Sequence, residues 1–120
     1  MPEMRAISKF YAMKDLRLLI VDDEQSQRDL LKGFLTKKGF EVHTAESGEA
    51  ALEQYHKIFA PLALVDLKMP GISGLELLDR LREINPFVQV IVLTAFGSVE
   101  TAVQAMRSGA FDYLTKPIED

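Results

Sequence analysis

Short apolar segments alternate with segments of helical periodicity along this 120-residue chain. Three apolar segments, 16–21, 62–65 and 88–93, are each interrupted at most once by a polar residue. Segments 40–44 and 111–114 are shorter candidates of the same kind. Because such runs are apolar on both sides, they are typical of strands that are buried on both faces of a parallel sheet.

Four segments between these candidate strands carry apolar residues at intervals of three and four, the spacing of an amphipathic helix. Ser73 and Glu76 are spaced as a capping box at the start of the third such segment. Gly39 and Gly109 stand where the first and fourth helices would end on a left-handed residue. The order β-α-β-α-β-α-β-α-β therefore predicts an α/β protein with a doubly wound, five-stranded parallel sheet.

The charge balance and the absence of cysteine exclude several classes of protein. With 14 basic and 18 acidic residues the net charge is −4, so direct nucleic-acid binding, which needs a basic face, is not expected. A chain without cysteine has no disulfide scaffold, zinc ribbon, iron–sulfur site or thiol nucleophile. No apolar run reaches the roughly 18–20 residues of a membrane span and no secretory stretch is found, so we expect a cytoplasmic protein without a membrane partner.

The two ends of the chain fall outside the five-strand pattern. Met4, Ile7 and Tyr11 have helical spacing, so residues 1–15 form either a short amphipathic helix or, as the preferred interpretation, a frayed or non-native tail. We accordingly divide the chain into this N-terminal extension or tail and a domain over 16–120. The alternation also predicts a final helix, which is missing from the sequence. Either the polypeptide is a piece of a longer one, or the N-terminal segment or a neighbouring chain covers the apolar face left bare.

Polar side chains with chemical potential follow the predicted strands. Asp22 and Asp23 follow the first strand, Asp66 the third and Thr94 the fourth, while Lys116 lies just beyond the fifth. In open α/β sheets the functional site forms outside the carboxyl ends of the strands. If the first and third strands are neighbours, three carboxylates converge there and require neutralisation. A hard divalent cation, with Mg²⁺ the natural candidate, would supply it and leave room for a phosphate group.

The same five residues form a sufficient set for phosphoryl transfer, which depends mainly on positioning and charge neutralisation. Asp66 is the best candidate nucleophile because it stands alone at its strand end and a turn bends the chain away after it. Asp22 and Asp23 are better placed as metal ligands. Thr94 can donate to one phosphoryl oxygen, and Lys116 can pair with another.

Four short segments carry a resemblance to a known family. They are Ile20-Val21-Asp22-Asp23-Glu24, Asp66-Leu67-Lys68-Met69-Pro70-Gly71, Leu93-Thr94-Ala95 and Tyr113-Leu114-Thr115-Lys116-Pro117. With these segments in this order, residues 16–118 resemble the receiver domain of bacterial two-component response regulators. The resemblance implies a flavodoxin-like sheet of order 2-1-3-4-5. It also implies a signalling switch in which Asp66 accepts a phosphoryl group from a phosphohistidine of a sensor histidine kinase.

The resemblance further implies the ligands of a bound Mg²⁺. The ion would be held directly by Asp23 and Asp66, by the backbone carbonyl of Lys68, and by Asp22 through water. The domain would then assist its own phosphorylation and dephosphorylation, so it is not an enzyme with turnover in the ordinary sense.

The resemblance assigns switching and tuning roles to four residues. On phosphorylation Thr94 would move toward the phosphate and Tyr113 would turn inward. The surface made by the fourth helix, fifth strand and fifth helix would then change its partners. Lys68 and Phe96, two positions after Asp66 and Thr94, would tune how long the phosphoryl group persists.

A finer resemblance lies in segments 94–98, 102–106 and 109–113, which are similar to receivers of nitrogen-regulator-type transcription activators. The implied partners are a sensor histidine kinase and an output module, an ATPase with a DNA-binding domain, in the full-length protein. The output would be transcription regulation, and a homodimer is an open alternative.

Three other functions compete with the switch. A phosphatase of the haloacid-dehalogenase type also uses a strand-end aspartate, but it requires an acid two residues later, where this chain has Lys68. A flavodoxin-like flavin module would offer amides and hydroxyls to a phosphate, whereas Asp22, Asp23 and Glu24 would repel it. A receiver that only docks partners would not need the full set of reactive residues that this sequence has.

Overall fold

The computed structural model describes residues 4–13, 15–95 and 99–118. Five strands and five helices alternate along these residues. The strands are β1 (Arg17–Val21), β2 (Glu41–Ala45), β3 (Leu62–Asp66), β4 (Gln89–Thr94) and β5 (Asp112–Thr115). The helices are α1 (Arg5–Ser8), α2 (Gln25–Lys37), α3 (Gly48–Ile58), α4 (Gly74–Ile84) and α5 (Val99–Arg107). None of the helices within these residues is long and apolar enough to cross a membrane.

The five strands form one parallel sheet of order β2-β1-β3-β4-β5. This arrangement confirms the predicted fold class and the strand order implied by the resemblance. Strand ends differ from the sequence prediction by about one residue, because Asp66 and Thr94 are themselves the last ladder residues of β3 and β4. The central strand β3 is buried at all five positions, as a continuous apolar run predicts.

Local capping explains where several helices begin and end. Ser73 Oγ accepts a hydrogen bond from Glu76 N at 3.2 Å, which is half of the predicted capping box. The other half, from Ser73 N to the Glu76 carboxylate, does not form, and that carboxylate pairs with Arg80 one turn later at 3.0 Å. Gly39 and Gly109 take φ values of 102° and 101°, so both lie in the left-handed region predicted for helix ends.

The core has one half on each face of the sheet. On one face α3, α4 and α5 contribute side chains such as Tyr55, Leu78 and Ala105. On the other face α2 packs through Leu31 and Leu35. This second half also contains residues of the N-terminal segment, so the segment is part of the packed structure.

The N-terminal segment lies against the sheet near β5. Met4 and Ile7 are buried in the half of the core that contains Leu114 of β5. The ring of Phe10 meets that of Phe111 edge-on at 5.6 Å between centroids. Lys9 Nζ lies 4.7 Å from the centroid of the Phe111 ring. The start of this segment therefore covers apolar surface near β5, while the Tyr11 ring packs edge-on against Phe40, which precedes β2.

Replacing Ile7 by Ala is expected to lower the free energy of unfolding by about 2–4 kcal/mol, because it deletes a fully buried side chain. Met13, which is half exposed in the same segment, is the matched control, and Met13→Ala should change stability by less than about 0.5 kcal/mol. Chemical denaturation measures both. Equal stabilities of the two variants would contradict the packing of this segment.

Candidate functional site

The carboxyl ends of β1 and β3 bring two acidic residues together. Val21 pairs with Val65 in the β1–β3 ladder, so Asp22 and Asp66 follow at the same level of the sheet. Asp22 N donates to the Ala45 carbonyl of β2 at 3.2 Å, which holds the chain in line as β1 ends. β1 and β3 are therefore neighbours in the sheet, which is the condition under which the sequence predicts that the carboxylates converge.

Three carboxylates converge at this edge. Oxygen atoms of Asp22, Asp23 and Asp66 all lie within 4.8 Å of one another. Asp22 and Asp66 are buried, whereas Asp23 is exposed at the rim. Backbone amides fix the two buried groups, since Asp22 Oδ1 accepts from Glu24 N at 3.0 Å and Asp66 Oδ1 accepts from Lys68 N at 3.3 Å.

Lys116 supplies a positive charge to the cluster from the loop after β5. Its Nζ lies 2.9 Å from Asp22 Oδ2, 3.2 Å from Asp66 Oδ2 and 3.3 Å from Glu24 Oε1. The Lys116 backbone N–H donates to the Thr94 carbonyl at 2.7 Å, which aligns this loop with the end of β4. One ammonium group is thus shared by three carboxylates.

Burial and charge alter the protonation of this group of residues. Burial, with repulsion from Asp22, raises the pKa of Asp66 to about 6, although Lys116 opposes the shift. Burial alone would lower the pKa of Lys116, but hydrogen bonding and attraction to Asp22 and Asp66 outweigh it and raise the pKa. The electrostatic environment therefore favours a bound cation beside the carboxylates.

The donor set fits a hard divalent cation. Its members are oxygens, two of the three carboxylates are buried, and one lysine leaves their charge incompletely neutralised. A cavity of about 400 Å³ opens over Asp66. It is lined by Asp23, Glu24, Asp66, Lys68, Ala95 and Lys116. The space beside the carboxylates is sufficient for an ion and a small anionic group together.

Thr94 and Tyr113 lie on a neighbouring groove. The Thr94 hydroxyl donates to the Leu114 carbonyl at 3.5 Å, and the Tyr113 side chain is 47% exposed. Both line an apolar groove of about 460 Å³ between β5 and α5. Lys68 lies at the acidic cavity, whereas Phe96, its predicted companion in tuning, lies outside the described residues. The predicted residues therefore divide between a reactive cavity and an adjoining groove.

Sequence reasoning missed two residues that contact the acidic cluster. Glu24 is the third carboxylate on Lys116, and Arg28 Nη1 donates to the Asp22 carbonyl at 2.7 Å. Glu24 directly follows the aspartate pair and is the N-cap residue of α2, and Arg28 lies in the first turn of that helix. Their closeness to Asp22 along the chain is the signal that could have identified them.

The comparison with known families agrees with this geometry. The family model described as the response regulator receiver domain matches residues 18–120, and the chain belongs to this family. Receiver domains are phosphoacceptor switches, a class distinct from ordinary enzymes. The homologues of this chain are activators of the nitrogen-regulator type, which confirms the finer resemblance. Family membership favours this class over the phosphatase and the flavin module.

Individual relatives support the same assignment. Regulatory protein AtoC of Escherichia coli (strain K12) is 42% identical over 103 residues, which are 86% of this chain and 22% of AtoC. The receiver domain of NtrX from Brucella abortus has a TM-score of 0.81 and 36% identity, covering 85% of this chain and 87% of that one. A receiver domain protein from Clostridium thermocellum has a TM-score of 0.81 and 35% identity, covering 86% and 83%. The chain therefore spans about a fifth of AtoC and most of each receiver structure.

Proposed function

We propose that this domain is a phosphorylation-controlled switch in which Asp66 accepts a phosphoryl group from a sensor histidine kinase in the cytoplasm. One observation carries the proposal: a buried carboxylate with a raised pKa, beside two other carboxylates and a lysine, borders an open cavity. A nucleophile, a cation site and a fixed ammonium are the parts that phosphoryl transfer requires.

The transfer proceeds by attack of an Asp66 carboxylate oxygen on the phosphorus of a phosphohistidine. A P–O bond forms as the P–N bond breaks, and the electron pair of that bond leaves with the imidazole nitrogen. Water later attacks the same phosphorus, which releases inorganic phosphate and restores the carboxylate. The domain ends this cycle unchanged.

We further propose that Mg²⁺ occupies the acidic cavity, held by Asp22, Asp23, Asp66 and the Lys68 backbone carbonyl. When bound, Mg²⁺ neutralises charge on the carboxylates and on the incoming phosphoryl oxygens. The two buried aspartates and the cavity beside them support this assignment.

Lys116 and Thr94 respond to the new phosphoryl group. In the unphosphorylated domain Lys116 Nζ donates a hydrogen bond to the Asp66 carboxylate. After phosphorylation it can donate instead to a phosphoryl oxygen carried by the same side chain. The Thr94 hydroxyl holds only a long bond of 3.5 Å to Leu114, so turning it toward the phosphoryl group costs little. Leu114 lies in β5, so the bond that is given up is a side-chain link from β4 to β5.

The groove between β5 and α5 is the proposed output surface. Four of its apolar side chains are at least two-fifths exposed: Val99, Val103, Met106 and Tyr113. Thr94 lies in its wall, so movement of the hydroxyl and of Tyr113 would alter the surface offered to an output module. We propose that this module regulates transcription and contains an ATPase and a DNA-binding domain. A second copy of this chain, forming a homodimer through the same groove, is the alternative occupant.

Incubation with a small acyl-phosphate donor, followed by intact-mass measurement, tests the phosphoryl chemistry. We expect a gain of one phosphoryl mass in the presence of Mg²⁺ and little or no gain when the metal is chelated. The absence of an adduct in a folded domain that demonstrably binds Mg²⁺ would reject the switch and favour a receiver that only docks partners.

A further inference from the structure

The loop between β3 and α4, residues 67–73, is closed on itself directly after Asp66. Leu67 N donates to the Leu93 carbonyl of β4 at 3.1 Å, and Gly74 N donates to the Leu67 carbonyl at 3.1 Å. These bonds fix the two ends of the loop. Lys68, whose carbonyl is the proposed metal ligand, lies between these two ends, and its own N–H donates to Asp66 Oδ1 at 3.3 Å.

The far side of this loop rests on the amino-terminal turn of α3. Glu49 Oε2 accepts a hydrogen bond from Ile72 N at 3.4 Å. The same carboxylate lies against Gly71, where an added Cβ would come within 2.5 Å of Glu49 Oε2. Gly48 also contacts the loop closely, since a Cβ there would lie 2.9 Å from the Ile72 Cβ. Two successive residues of α3 therefore contact two successive residues of the loop.

Glu49 is itself held in place by its position in α3. Ser47 Oγ accepts from Ala50 N at 3.1 Å and caps the helix, and a carboxylate in the first turn is favoured by the helix dipole. The helix follows β2, whose last residue Ala45 accepts the hydrogen bond from Asp22 N. The start of α3 is therefore tied to the same edge of the sheet as the acidic cluster.

We propose that Glu49 is a positioning residue for the metal and phosphoryl site. Its carboxylate holds the 67–73 loop so that the Lys68 carbonyl stays at the cavity beside Asp66. This inference rests on the proposed function, because the Lys68 carbonyl matters only if the cavity binds Mg²⁺. Glu49 touches neither the ion nor the phosphoryl group and acts through the Ile72 amide and Gly71.

Calorimetric titration with Mg²⁺ on the wild type and three variants tests the proposal. Glu49→Ala should weaken Mg²⁺ affinity by about 3- to 10-fold, below the usual range for groups that orient a metal ligand because the contact is exposed. Glu49→Gln, which keeps an oxygen acceptor for Ile72 N, should stay within about twofold of the wild type. Glu53→Ala, an exposed glutamate one turn further along α3, is the matched control and should change nothing.

Each outcome of the titration decides the proposal. Wild-type affinity in Glu49→Ala would overturn it. An equal loss in Glu49→Gln and Glu49→Ala would also overturn it, because the carboxylate would then act by charge alone.

Hydrogen exchange at the Ile72 amide separates this proposal from the proposed function. Exchange should be about fivefold or more faster in Glu49→Ala than in the wild type and unchanged in Glu53→Ala, with or without Mg²⁺. If the wild type binds no Mg²⁺, the metal site fails, while faster exchange would still support the hold on the loop. Unchanged exchange in Glu49→Ala would reject that hold.

Discussion

Asp66→Asn is expected to abolish the Mg²⁺-dependent gain of phosphoryl mass and at the same time to stabilise the metal-free domain. An amide is not a nucleophile at phosphorus under these conditions, so the first effect is a complete loss of signal. The second effect follows from the acidic cluster, where Asp66 is buried close to Asp22. If Asp66 served only in packing, its replacement by Asn would not both abolish phosphoryl uptake and raise the stability of the domain.

The size of the stability gain follows from the pKa of Asp66, which burial and Asp22 raise from 3.8 to about 6. Each unit corresponds to about 1.4 kcal/mol, and allowance for solvent screening leaves an expected gain of about 1–2 kcal/mol at pH 7. Because the folded carboxyl binds its proton more tightly than the unfolded one, ionisation destabilises the fold as pH rises. The gain in Asp66→Asn should therefore be full above pH 6 and should vanish as the pH falls toward 4.

Asp79→Asn provides the matched control for charge, because Asp79 is exposed on α4. We expect it to keep the phosphoryl gain and to change stability by less than about 0.5 kcal/mol. Denaturant titrations between pH 4 and pH 8, without metal, measure the stability of all three proteins. A destabilised Asp66→Asn at pH 7, or a phosphoryl gain in that variant, would contradict the account.

Gly74→Ala is expected to destabilise the domain by about 3 kcal/mol or more. A Cβ at Gly74 would lie 2.3 Å from the Asp66 carbonyl oxygen and 2.5 Å from the Leu67 Cα, both of them backbone atoms. Relief would require α4 to move away from the end of β3 or the Asp66 backbone to shift. Phosphoryl uptake should fall with stability, because the nucleophile belongs to the displaced segment.

Gly33→Ala makes the same chemical change in α2, where no atom lies within 4 Å of the added Cβ. We expect a gain in stability of about 0.5–1 kcal/mol, since alanine favours the helix more than glycine. Urea denaturation of both variants measures the contrast. If Gly74→Ala were as stable as Gly33→Ala, the close approach of α4 to Asp66 would be refuted.

Most of the fold could be predicted from the sequence because it depends on local patterns. Alternation of buried runs with helical segments determines the order of elements, and a parallel sheet places all carboxyl strand ends at one edge. The sequence therefore predicts that Asp22, Asp66 and Lys116 lie near one another. Lys116 Nζ lies 2.9 Å from Asp22 Oδ2 and 3.2 Å from Asp66 Oδ2, in agreement with that expectation.

The contacts that the sequence did not predict depend on how distant elements pack. Glu49 contacts a loop 23 residues later, and Glu24 contacts a lysine 92 residues later. No periodicity within one helix encodes such pairs. The orientation of the Thr94 hydroxyl toward Leu114 has the same origin, because a rotamer is determined by packing rather than by position in the chain.

We propose that Asp66 carries the phosphoryl group, and the modified residue can be identified directly. Borohydride reduces an acyl phosphate to the alcohol, so treatment of the phosphorylated domain converts the modified aspartate to homoserine. Proteolysis and tandem mass spectrometry then identify the position. Homoserine is expected at position 66, dependent on Mg²⁺ and on the phosphoryl donor. Homoserine at position 22 or 23, with Asp66 unmodified, would contradict this proposal.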